Sequence, residues 1–170
     1  MFPVQDSTLC AEALAERTLR RYDLSPGAVC RFYRKGICDT YRVWSGQRQH
    51  YLKVYRHGRR LRLDVTEEVR LLRYLDGRGV SVARPVSRSD GLYVNRHDAP
   101  EVRRYVVLCE AAAGSLGDGG DTGRIEALGE MVARLHCRAD QMREPYRREH
   151  LDMAHLVHAN LQVIAPVMSH

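Results

Sequence analysis

The spacing of hydrophobic and polar side chains changes several times along this chain, and each change marks a predicted boundary. From Arg31 the period is two: Thr40, Arg42 and Trp44 alternate with Tyr41 and Val43, Ser45-Gly46 supplies a turn, and alternation resumes from Tyr51 to Tyr55. Two antiparallel strands are predicted there. Ahead of them Ala11, Ala13, Leu14 and Ala15 favour a helix that Asp6 or Ser7 can cap and that can run to about Tyr22. Val65 to Arg78 returns to a helical period, with Val65, Val69 and Leu72 on one line, Leu71 and Leu75 beside it, and Gly79 as the stop. Val80 to Val86 contains Pro85 and suits a sheet edge or a strand end, Asp90-Gly91 makes a turn, and Arg104 to Cys109 is a nearly continuous apolar run that suits a strand covered on both faces. The loop Leu116 to Asp121 ends the β region. A helix capped by Asp121 is predicted from Thr122 to about Cys137, and helical spacing through Leu151, Ala154, Leu156 and Leu161 is halted near Pro166. The order is α+β: an antiparallel sheet with a packed helix, then helices.

With 170 residues, 44% of them hydrophobic and 28% charged, the chain can form one packed domain, or one lobe with a helical extension. No run approaches the ~20 apolar residues of a membrane span, and the start carries no charged stretch followed by an apolar one, so a cytoplasmic location and no membrane partner are expected. The five cysteines are odd in number and include no Cys-x-x-Cys pair, which suggests neither a disulfide framework nor a zinc site. Net charge is +6, but the arginines are scattered among acids instead of forming one tract, which argues against nucleic acid as a partner.

Positive charge comes from 25 arginines and only two lysines, Lys35 and Lys53. Lys53 lies in the middle of the strand Tyr51 to Tyr55, among apolar and aromatic neighbours. A compact ammonium there suits phosphate oxygens, for which a planar guanidinium is larger; a lysine on a solvated strand face is the plainer alternative. Glu68 falls three residues before Leu71 and seven before Leu75, on the apolar side of its helix, where a carboxylate needs a partner. Lys53 is the candidate, and Glu67 is assigned to the polar flank; the alternative is a surface acid beside Arg70 and Arg73. Arg34 to Val43, with Gly36, can form a hairpin whose amides cover phosphates, or a plain turn.

The ordered set Gly36 to Val43, Tyr51 to Arg56, Glu68 to Leu75, Gly79 to Val86, Asp90-Gly91, Arg104 to Leu108 and Ala133-Arg134-Leu135-His136 resembles the aminoglycoside phosphotransferase family, nearest its bacterial stress-response kinase and homoserine kinase branches. The resemblance spans roughly residues 30 to 165. It implies a kinase-like nucleotide-binding lobe over residues 1–110, a hinge and loop over 111–121, and the start of a helical lobe over 122–170. It further implies ATP as cofactor: Lys53 on the phosphates, Glu68 orienting Lys53, the hairpin with Gly36, Asp39 and Thr40 over the nucleotide, and Cys109, Glu110 and Ala111 in the hinge against the adenine.

The family's His-Gly-Asp-x-His-x-x-x-x-Asn loop and its downstream metal-binding Asp have no counterpart here. His57-Gly58 comes too early and is followed by Arg59; His150-Leu151-Asp152 has Val157 where the Asn belongs, and no Asp follows Asp152. Asp152 reads as an ordinary helix residue, and its grouping with His155 and His158 as a metal site is weakly supported. No catalytic or metal residue is therefore assigned, and magnesium is expected only with a further lobe. The sequence reads as the front half of a family phosphotransferase, a fragment or truncated product inactive alone. The alternative is a kinase-like binding protein whose exposed lobe surface docks a partner chain.

Overall fold

The computed structural model describes residues 7–112, 122–147 and 152–168. Alternation produces three consecutive strands, β1 (Val29–Arg34), β2 (Cys38–Ser45) and β3 (Arg48–Tyr55), followed by helix α2 (Arg62–Asp76), which comes after a short N-terminal helix α1 (Ala11–Arg17). Strands β4 (Val94–Ala99) and β5 (Val102–Glu110) complete an antiparallel sheet in the spatial order β1-β2-β3-β5-β4. The register Leu52↔Leu108 and Lys53↔Val107 seats β5 directly beside β3.

Both faces of the central strands are covered. On one, Leu14 of α1, with Leu19 and Tyr22 of the 3-10 turn that follows it, packs on Tyr41, Val43, Leu52, Val54, Val106 and Leu108. On the other, Val65 and Val69 of α2 pack on Tyr55, Val107 and Cys109. Val106 to Cys109 are all buried, as a doubly covered strand requires. At the start of α2 the Asp64 carboxylate accepts the Leu61 N–H at 2.8 Å, and at its end Gly79 adopts a left-handed φ of 72° while Val80 N–H returns to the Leu75 carbonyl.

Several boundaries differ from expectation. The first helix is shorter, beginning after Cys10; Ser7 does not cap it but donates to Glu101 at 2.7 Å, and Asp6 lies outside the described residues. Val80 to Val86 is not a strand: Pro85 bridges Cys109, and two backbone hydrogen bonds, Val86 N–H to Leu108 O and Glu110 N–H to Arg84 O, with the Arg84–Glu110 ion pair, tie the segment to β5. Strand β4 is polar in sequence and was not expected; it forms because β5 offers it a free edge, and buried Asn95 donates to the Tyr22 hydroxyl at 2.6 Å. Helix α3 spans Thr122–Asp140, while its expected cap Asp121 and most of the expected loop lie outside the described residues. Helix α4 (Ala159–Met168) runs through Pro166, which removes one donor near its end without stopping the last turn. No helix among the described residues is long and apolar enough to cross a membrane.

The face under α1 also holds charge. Arg104 and Asp39 are fully buried and 2.8 Å apart; Arg104 also bonds Glu101 and the Ser7 carbonyl, and Arg56 reaches Asp39 at 3.0 Å. A buried guanidinium is tolerable only while its carboxylates remain. Asp39→Ala is therefore expected to lower stability by about 3–5 kcal/mol, measured by urea unfolding. His97 contacts the Thr18 hydroxyl at 2.8 Å, and burial, with Arg21 and Arg17 nearby, holds its pKa below the ordinary 6.5. The unfolded chain then binds the proton more readily, so stability should fall as pH drops below 6.5. Glu67 and Glu101, held below the usual 4.5, would act only at lower pH. A shallower loss for His97→Gln across the same range, read as unfolding midpoints, checks the assignment.

Candidate functional site

Strand β3 sends Leu52 and Val54 toward α1 and Tyr51, Lys53 and Tyr55 to the opposite face, because successive side chains of a strand alternate. Glu68, on the second turn of α2, comes over this second face. Its Oε1 accepts hydrogen bonds from Lys53 Nζ at 3.2 Å and from the Tyr55 hydroxyl at 2.8 Å. Burial is the largest single influence on the Lys53 ammonium and pulls it down, but the opposing influences, led by the charge of the Glu68 carboxylate, together raise the pKa above its ordinary value. Burial, then the same carboxylate, push the Tyr55 phenol far up, which keeps it a donor.

Lys53 stands on the wall of a cleft of about 650 Å³. The hairpin Arg34 to Cys38 with Thr40 borders it on one side, and Cys109, Glu110 and Ala112 on the other, with Tyr33, Tyr51 and Ala83 between. Burial pushes the Cys109 thiol up to about 11, so it meets the cleft as a neutral group. Of the expected residues, Lys53, Gly36, Thr40, Cys109 and Glu110 line this cleft, and Glu68 stands behind Lys53.

Two expected residues are placed elsewhere. The Asp39 carboxylate points to the opposite face, into the pair with Arg104, because its strand neighbours Cys38 and Thr40 hold the cleft side. Ala111 donates its N–H to the Gln49 carbonyl at 3.1 Å and Glu110 donates to Arg84 O at 2.8 Å, so neither amide is open to a base in the cleft. Glu67 is not on a polar flank: it is 6% exposed, bonded by Arg70 at 2.6 Å and by the Arg147 N–H at 3.1 Å. Its cover arrives from eighty residues further along, beyond any local pattern. Tyr51 and Tyr55 were missed as site residues, although their places two before and two after Lys53 put them on its face.

Among the described residues no three His, Cys, Asp or Glu side chains converge as a metal site. The Asp152 carboxylate instead accepts the His155 N–H at 2.9 Å and begins the last helical segment; His150 lies outside the described residues.

A model of the phosphotransferase enzyme family, APH, matches residues 29–164. An uncharacterised protein of Synechocystis sp. is 33% identical over 171 positions, covering 99% of this chain and 47% of the relative. The chain thus spans about half the length of the curated relatives it matches. Among solved structures, a microcompartment-associated aminopropanol kinase superposes with a TM-score of 0.73 at 26% identity, over 89% of this chain and 48% of that one. An amicoumacin kinase in complex with AMP-PNP and Ca2+ also gives 0.73, at 21% identity, over 89% of this chain and 47% of that one. The sheet, its packed helices and the family match make this an α+β kinase-like fold, and the chain belongs to the phosphotransferase enzyme family.

Proposed function

We propose that this chain carries the nucleotide-binding part of an ATP-dependent phosphotransferase that acts on a hydroxyl of a small molecule or protein. The observation that carries this reading is the Lys53–Glu68 pair, 3.2 Å apart, on the wall of a cleft bordered by the Gly36 hairpin. Lys53 would meet phosphate oxygens as a point charge, Glu68 and Tyr55 would hold it in place, and the hairpin from Arg34 to Thr40 would lie over the phosphates. The base would sit between Tyr51 and the strand end at Cys109 to Ala112, within residues 1–110 and the first part of a 111–121 hinge. The amicoumacin kinase bound to AMP-PNP supports the choice of nucleotide.

The side chains described here do not fit magnesium, since no set of carboxylates converges beside the cleft. With neither the Asp-Asn loop nor a metal carboxylate in its sequence, the chain by itself would bind nucleotide weakly and transfer nothing. A second reading, a kinase-like protein that docks a partner, is supported by apolar side chains of α3 that face solvent, Ile125 at 57% and Leu128 at 55% exposed. A monomeric mass independent of concentration would count against it.

Calorimetric titration with ATP, with and without magnesium, tests the first reading. Lys53→Ala should weaken binding by about ten-fold or more, the loss of a hydrogen bond between charged groups. Equal binding by both proteins would remove Lys53 from the site, and turnover by the wild type would overturn the assignment of inactivity.

A further inference from the structure

Charge is unevenly distributed along this chain. Over the chain as a whole the arginines are mixed with acids, but residues 24–63 depart from that: they contain ten Lys and Arg and a single acid, Asp39, an excess of nine where the whole chain carries +6. Everything outside this segment is therefore net acidic. The fold then withdraws the one acid: Asp39 is fully buried against Arg104 on the α1 face. What remains on the outside of β1 to β3 is cationic.

These cations are interleaved with rings. α2 packs toward β3, β5, β4 and Cys38 at the start of β2, which among the described residues leaves β1 and the rest of β2 open on that face. There the pairings Arg31↔Arg42 and Arg42↔Tyr51 form one row across three strands, and Val29↔Trp44 forms the next. The Arg42 guanidinium lies 3.9 Å from the Tyr33 ring and that of Arg31 lies 5.9 Å from Trp44, while Tyr33 and Tyr51 are 5.8 Å apart. Among the described residues Arg31, Arg34 and Arg42 make no ion pair. Arg31 and Arg34 are exposed, Tyr33 is 40% exposed, and Val29, Arg31 and Trp44 border a shallow recess of about 280 Å³.

We propose that this open face of β1 and β2 binds single-stranded nucleic acid, with bases stacked on Trp44 and Tyr33 and phosphates held by Arg31, Arg34 and Arg42. Charge complementarity requires an anionic polymer. The rings select among such polymers, because an unpaired base offers a flat π-face to an aromatic side chain or a guanidinium plane, whereas an acidic polypeptide offers only charge. A duplex keeps its bases stacked on one another and would leave the rings unused. Tyr33 and Arg34 also border the Lys53 cleft, but Arg31, Arg42 and Trp44 lie outside its lining, so the contacts they make do not depend on the nucleotide reading.

Trp44 is the only tryptophan in the chain, so its emission reports on the face directly. The purified chain is titrated with an oligo-dT of about ten nucleotides, within the span of known single-strand sites, at low and moderate salt. Quenching of Trp44 is expected, with affinity falling on a log-log salt slope of about −2 for three phosphate contacts. The double variant Arg31→Ser/Arg42→Ser should bind about ten-fold more weakly, with a slope smaller by about 1.4. Arg31→Glu, at an exposed position, repeats the test if the double variant does not fold. Binding without quenching, salt-independent binding, or equal affinity for a duplex would each overturn the proposal. Polyglutamate binding as tightly as oligo-dT would assign the face to an acidic polypeptide instead.

Discussion

Leu52 and Val54 enter one core while Lys53 and Tyr55 face the other helix, because β3 alternates and is covered from both sides. Everything at the cleft depends on that constraint. Lys53 is tethered at a fixed height above β5, whose Val107 stands opposite it in the register. A half-buried ammonium there needs a counter-charge, and α2, held down by Val65 and Val69, supplies Glu68. The same carboxylate oxygen takes the Tyr55 hydroxyl, so one strand offers two donors, two residues apart, to one acceptor. Helix docking and lysine positioning are thus a single event.

The two faces handle charge differently. Under α1, Asp39 and Arg104 are sealed from water, where desolvation is costly and removal of either partner leaves a buried ion short of a counter-charge. Their network joins the N-terminal segment at Ser7, the turn at Glu101, and the ends of β2 and β3 through Asp39 and Arg56. At the cleft, Lys53 and Glu68 keep 30% and 24% of their side chains exposed, so a ligand can reach the ammonium. The strand that carries the hairpin is anchored from behind by a pair that the cleft never touches.

Adjacent acids on α2 serve opposite partners. Successive residues of an α-helix point about 100° apart, so Glu68 turns to the sheet while Glu67 turns to the segment after α3. Arg70 bonds Glu67 and also Glu144 and the Pro145 carbonyl, fastening that segment to α2. One helix thereby connects the lysine strand to the chain beyond the cleft.

Period and residue type alone were enough to place β2, β3, the doubly covered β5, α2 and the face shared by Lys53 and Glu68, because these follow from local alternation and from a carboxylate on an apolar helix side. They could not show β4, whose polar residues form a strand only because β5 presents an unpaired edge. Nor could they show that Asp39 belongs to Arg104, sixty-five residues away, or that Glu67 is capped by Arg147. Arg31, Arg34 and Arg42, spaced apart along the chain, become neighbours only when antiparallel pairing lays the strands side by side. What a residue can do chemically was legible in the sequence; which distant group would meet it was decided by the tertiary structure, since burial and charge pairing depend on contacts between segments that share no local pattern.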